Sequence, residues 1–183
     1  MKLKKKGMKL GLGGLVKGWG VDKVVKQLRA AGHRDFFVQA GGDLYLAGKV
    51  DGRPWRAGIR EPRGPQDATF ASTEVSDATF STSGDYEHFF IQDGVRYHHL
   101  IDPRTCMPAR ASVSATVVAK SAVDAELLTK ATFILGSEQG EKLAASFGAQ
   151  LVLVDPDGGV HTSTALHLEW RAPSGLGQSD AGP

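Results

Sequence analysis

Apolar residues at Val21, Val24, Val25 and Leu28 recur at the spacing of one helix face, and Gly32 supplies a stop, so the pattern predicts a helix over residues 16–31. The period then changes to short runs rich in Phe, Val and Thr. Residues 35–40 and 44–47 flank Gly41-Gly42-Asp43 and predict a hairpin, with a further strand over 55–60. Two prolines within residues 60–66 cannot donate to a ladder, so that stretch reads as a loop. Alternation predicts strands over 68–75, 78–83, 87–92, 95–100 and 113–119, with turns at Gly84-Asp85 and Asp93-Gly94. The helical period returns over 121–135, where Ser121 is the N-cap and Gly136 the stop, and a second helix follows over 137–147. Strands over 151–154 and 160–163 close the pattern as a hairpin.

Helices interrupt runs of hairpin-connected strands instead of following each strand. That order predicts an α+β fold, an antiparallel-sheet-rich single domain over residues 1–171, rather than a doubly wound sheet. Residues 172–183 carry little to bury and are expected to form a disordered tail.

Composition narrows the partners more than it identifies them. At 183 residues the chain can bury one real core, and a formal charge of +2 with mixed signs provides no field that selects nucleic acid or a membrane surface. The single Cys106 excludes an internal disulfide framework. No apolar run reaches the roughly 18–20 residues of a membrane span, and the basic start lacks the apolar stretch and cleavage site of a signal peptide. As given, the chain is expected to remain cytoplasmic.

Four segments could carry chemistry. Gly11, Gly13 and Gly14 precede a helix start whose free N–H groups and Lys17 could hold an anion, although such a turn also serves packing. Gly41-Gly42-Asp43 sets a carboxylate beside a tight turn, which hairpin chemistry alone also explains, and Ser83-Gly84-Asp85-Tyr86 reads the same way. The stretch 97–105, YHHLIDPRT, is dense in reactive groups. On a strand His98 and His99 face opposite sides, which disfavours a two-histidine metal site, while Asp102 and Arg104 beside them suggest acid/base or phosphate chemistry. In the helix over 121–135, Asp124 falls on the apolar face near the N-terminus. Glu126 and Lys130 are expected on the opposite side as an exposed i,i+4 ion pair.

Taken in order, these segments resemble the ApbE family of flavin transferases. The family pattern D-L-G-G-I-A-K-G-[YW]-A-x-D resembles residues 11–22, N-x-G-G-D-[IL] resembles 39–44, T-S-G-D-Y-E matches 82–87, Y-x-H-I-x-D-P-[RK]-T-G resembles 97–106, and F-V-L-G resembles 133–136. The departures are Gly11 and Cys106, where the family carries Asp and Gly. The resemblance covers the C-terminal two-thirds of the family pattern and implies a chain lacking its N-terminal part.

The resemblance implies the T-fold type of α+β architecture and an enzyme that cleaves FAD at its pyrophosphate and, with Mg²⁺, transfers FMN to a threonine of a target protein. It implies catalytic roles for His99 and Lys17, and cofactor contacts from Lys17, Gly42, Asp43, Ser83, Gly84, Asp85, His99 and Arg104. For the metal it implies the Gly14 carbonyl and a helix carboxylate. Counting back from Gly136 places the family's Asp and Thr ligands at Glu126 and Lys130, with Asp124 and Thr129 as a five-residue-spaced alternative. Family members are typically found in the cell envelope. The competing expectation is a non-catalytic module that holds a flavin or nucleotide, or a decayed interaction domain.

Overall fold

The computed structural model describes residues 3–171. Helix α1 (Val16–Ala30) is followed by β1 (Phe36–Ala40), β2 (Asp43–Ala47), β3 (Trp55–Arg60), β4 (Thr69–Val75), β5 (Ala78–Gly84), β6 (Phe89–Gln92) and β7 (Val95–His98). Then come β8 (Ile101–Asp102), β9 (Met107–Pro108), β10 (Ser114–Ala119), α2 (Ala122–Leu135), α3 (Ser137–Ser146), β11 (Gln150–Val154), β12 (Val160–Thr162) and β13 (Glu169–Trp170). The expected disordered tail lies outside the described residues.

Six strands form the main sheet in the order β1-β2-β5-β10-β11-β12, and β13-β4-β3 form a second, smaller sheet. Every pairing among the described residues is antiparallel, as the hairpin pattern predicts. Period-two alternation sorts the main sheet's side chains between two cores. Ala115, Val117, Leu151 and Leu153 pack with Ala125, Leu128 and Phe133 of α2. Leu46, Phe80, Val152 and Val154 pack instead with Ala57, Ile59, Phe70 and Val75 of the smaller sheet.

Three expectations need correction. The strand predicted over 87–92 begins only at Phe89, and the one predicted over 95–100 ends at His98. The chain there turns into the two-residue ladder β8–β9, too short for alternation to register. Strand β5 runs through Gly84, where a turn was expected, because β10 pairs with it as far as Ser114 opposite Gly84.

The two helices that frame the site meet at close range. A Cβ on Gly18 would lie 2.4 Å from the Ala122 carbonyl oxygen, so only glycine lets α1 approach the start of α2 this closely. From the next turn of α1, Asp22 accepts the Ala122 and Val123 N–H groups at 2.8 and 3.1 Å and the Ser121 hydroxyl at 3.0 Å. Asp22 thus caps α2 from outside, while Ser121 itself accepts the Asp124 N–H at 3.2 Å, the N-cap role predicted for it.

Candidate functional site

On the helix-facing side of the sheet, the apolar alternation breaks where β2 meets β5. Asp43, Ser81 and Ser83 replace aliphatic residues there, all three buried. Opposite them α2 presents Glu126, Thr129 and Lys130. Ser83 donates to the Thr129 hydroxyl at 2.9 Å, and Thr129 to the Glu126 carbonyl at 3.0 Å.

Glu126 is the correction with the largest consequence. Expected on an exposed face, its side chain is fully buried, at 0 % exposure. Its Oε2 accepts the Gly18 N–H of the first turn of α1 at 2.8 Å. At that helix start the Gly18 N–H therefore meets an anion, the chain's own carboxylate. Its Oε1 lies 3.7 Å from Lys17 Nζ and 3.5 Å from Lys130 Nζ. Lys17 also pairs with Asp43 Oδ2 at 2.9 Å, and Asp43 Oδ1 accepts the Ser81 hydroxyl. Lys130 donates to the Glu126 carbonyl at 2.9 Å. A helical-wheel count of apolar residues misses this face because its buried positions are polar.

The two lysines feel the cluster differently. For Lys17, burial pulls the ammonium pKa down, but Asp43 and then Glu126 outweigh it and leave the pKa above its ordinary value. For Lys130, burial prevails over attraction to Glu126 and Asp43, so its pKa is lowered.

Lys17 and Lys130 reach a cavity of about 620 Å³ whose wall also includes Gly42, Arg60, Gly84, Tyr86, His88 and His99. Asp43 and Ser83 border it too. A Cβ on Gly84 would sit 2.4 Å from the Tyr86 ring, so this glycine lets the aromatic wall close on the strand. Arg60 stacks over Tyr86 at 4.3 Å from the ring centroid. Burial pushes the Tyr86 hydroxyl up to about 12, so it stays a donor.

His98 and His99 separate as strand geometry predicts. His98 is buried, with Nε2 2.9 Å from the Ala109 carbonyl and Nδ1 accepting the Leu100 N–H at 3.3 Å. Those contacts fix a neutral ring with the proton on Nε2. His99 opens to the cavity beside His88, ring centroids 5.2 Å apart. Desolvation at the cavity wall lowers its pKa from the ordinary 6.5, opposed in part by a hydrogen bond to the His88 backbone and aided by the charges of His98 and Lys130, which favours the neutral imidazole at pH 7.

Other predicted residues stand elsewhere. Asp85 receives both arms of Arg63, at 2.7 and 2.8 Å, on a separate cavity of about 390 Å³. Arg104 folds back on Asp102 with Nη2 2.7 Å from Oδ2 and takes no part in lining the main cavity. Asp124 sits half-buried at the start of α2, also off that lining. Gly14 stands against the Lys130 stem, where a Cβ would lie 3.7 Å from both Cδ and Cε. Arg60, Tyr86 and His88 are cavity residues not assigned from sequence; only the tertiary fold brings them beside Lys130.

Comparison with known proteins is consistent with this geometry. A curated relative from Treponema pallidum (strain Nichols), named FAD:protein FMN transferase, is 36% identical over 91% of this chain and 49% of its own length. One of the same name from Vibrio cholerae serotype O1 is 40% identical over 79% of this chain and 44% of its own. The chain therefore spans about half the length of the curated relatives it matches. The crystal structure of the ApbE protein from Thermotoga maritima MSB8 superposes with a TM-score of 0.78 at 36% identity, covering 87% of this chain and 52% of that one. No helix among the described residues is long and apolar enough to cross a membrane. With the ApbE family model matching residues 1–153, the chain belongs to the ApbE family.

Proposed function

We propose that this cavity binds the pyrophosphate of FAD and supports transfer of FMN to a threonine hydroxyl of a target protein. The observation that carries this reading is three cationic side chains, Lys17, Arg60 and Lys130, converging on one cavity that also holds a neutral histidine. Ammonium and guanidinium groups suit a pyrophosphate, and their charges stabilise the charge that builds on it during transfer. His99 in its free-base form accepts the proton of the attacking hydroxyl. The new bond joins that oxygen to the FMN phosphorus, the bond to the AMP oxygen breaks, and AMP leaves. Asp43 and Glu126 hold the two lysines in place, and Ser83 braces α2 through Thr129.

Mg²⁺, which the resemblance implies, fits these residues poorly. Lys130 occupies a ligand position of the family motif with three donors and no acceptor. Glu126 Oε2 and Asp43 Oδ1 accept the Gly18 N–H and the Ser81 hydroxyl, and the other oxygen of each carboxylate, without a hydrogen bond of its own, faces a lysine ammonium that already offsets its charge.

Incubation with FAD and a threonine-bearing acceptor protein, followed by mass spectrometry, tests the transfer. FMN-sized addition that disappears in His99→Ala is the expected result. FAD bound and recovered intact would reduce the chain to a binding module. With His99 as base, kcat/KM should stay high as pH falls to 6.5 and decline only below it, because the histidine pKa is depressed.

A further inference from the structure

A divalent cation and a lysine ammonium cannot occupy one pocket, and here the ammonium is already in it. Lys130 Nζ lies 3.5 Å from Glu126 Oε1 and 2.9 Å from the Glu126 carbonyl, with its stem against Gly14. The resemblance assigns the metal to the Glu126 carboxylate and the Gly14 carbonyl, so Lys130 lies against both of those residues. The cluster contains two buried carboxylates, Asp43 and Glu126, facing two ammonium groups, Lys17 and Lys130, so its formal charge is already balanced. A divalent cation would bring two further positive charges to carboxylates whose charge the two ammonium groups already offset.

We propose that the Lys130 ammonium takes the place of the divalent cation, so that this chain engages the FAD pyrophosphate without Mg²⁺. The inference rests on the pyrophosphate reading of the cavity. An ammonium has three donors; Lys130 spends one on the Glu126 carbonyl and faces Glu126 Oε1 with a second, leaving one for a phosphate oxygen. Its side chain keeps 30% of its surface exposed, on the cavity side. Glu126 then positions an amine instead of ligating a metal, and its longer side chain, relative to the aspartate of the family motif, still accepts the Gly18 N–H.

Two measurements decide it. Mn²⁺ titrated into the protein without flavin and followed by electron paramagnetic resonance reports a metal site directly. Wild type should leave millimolar Mn²⁺ free. Lys130→Thr, which swaps the ammonium for an oxygen donor, should bind one Mn²⁺, and Lys130→Met, which removes charge without adding a donor, should bind about tenfold more weakly or not at all. Stoichiometric Mn²⁺ binding by wild type overturns the proposal, as does a failure of folded Lys130→Thr to bind, with circular dichroism confirming the fold.

In the second measurement, flavin fluorescence gives the Kd for FAD in excess EDTA and in excess Mg²⁺. Equal values for wild type, with Lys130→Thr binding only when Mg²⁺ is present, are expected; a wild type that needs Mg²⁺ refutes the substitution. FAD binding by neither protein under any condition would instead defeat the pyrophosphate reading, and the Mn²⁺ titration would still decide the fate of Lys130.

Discussion

Glu126 with its two lysines and Asp102 with Arg104 each pair a carboxylate with cationic side chains, yet they do opposite things. Glu126 is sealed beneath two helices, and its oxygens are met by a helix N-terminus and two ammonium groups. Asp102 shapes a surface turn: its Oδ1 accepts the Arg104 N–H at 2.9 Å, and its carbonyl accepts from Thr105 and Cys106. Arg104's side chain is 62% exposed. In a low-dielectric surrounding each partner depends on the others, whereas at the surface water and salt replace a lost partner. Ion pairs therefore reveal a site through burial more than through their number.

The strongest way to break this contrast is at Glu126. Truncation to alanine leaves the Gly18 N–H buried without an acceptor and two lysines without their shared counter-charge. We expect a loss of about 3 kcal/mol in urea unfolding, reduced to about 1–2 kcal/mol in Glu126→Gln, which keeps an acceptor for Gly18. A cost near zero for the alanine variant would mean that the sealed carboxylate behaves like one whose partner faces solvent.

The second test uses pH on the histidine pair. Burial lowers the pKa of His98 below 6.5, with the Ala109 hydrogen bond opposing it only in part. Its folded pKa lies under its unfolded value, so the unfolded chain binds the extra proton first. The stability it contributes is present above 6.5 and is lost as pH falls through that value toward the folded pKa. Protonating Nδ1 would also break its bond from the Leu100 N–H. Urea midpoints measured across this range should fall with pH in wild type and fall less in His98→Asn. Parallel curves for the two proteins would assign the acid sensitivity to other groups.

Hairpins, helix limits and the Ser121 cap were legible because each follows from local rules: alternation, turn residues and side-chain capping. The family was legible because motifs at residues 11–22, 39–44, 82–87 and 97–106 keep their order. The polar face of α2 was not, because Glu126 and Lys130 four residues apart look the same whether they face water or a buried Asp43. Only the pairing of β2 with β5, which sets Asp43 opposite Ser81, creates the polar strip that draws Glu126 inward. Arg60 and Tyr86 escaped notice for a related reason, as their contact joins separate strands and loops.

Cys106 sharpens the description of the surface turn. It has φ of +57°, in the left-handed region, at the position where the family motif carries glycine. A Cβ there is strained, and glycine relieves the strain at the expense of a freer unfolded chain. Cys106→Gly should stabilise the protein by about 0.5–1 kcal/mol, read as a rise in urea midpoint at constant m-value. A destabilised variant would show that the turn relies on a contact of the thiol.

Arg104 marks the low end of the comparison. Its guanidinium holds the Asp102 carboxyl below the usual carboxylate range, which is evidence of a real contact and still little evidence of stability, because the guanidinium faces solvent. The sequence assigned Arg104 to the cofactor, but its reach is taken up by Asp102, within two residues, and the main cavity is lined without it. Arg104→Ala should leave both the unfolding midpoint and the Kd for FAD within experimental error, whereas Lys17→Ala should weaken FAD binding by about tenfold or more through loss of a charge-assisted contact. Each variant removes one positive charge, one from the cavity wall and one from the surface turn. If Arg104→Ala weakens FAD as strongly as Lys17→Ala, the guanidinium leaves Asp102 to meet the ligand, and the surface turn joins the site.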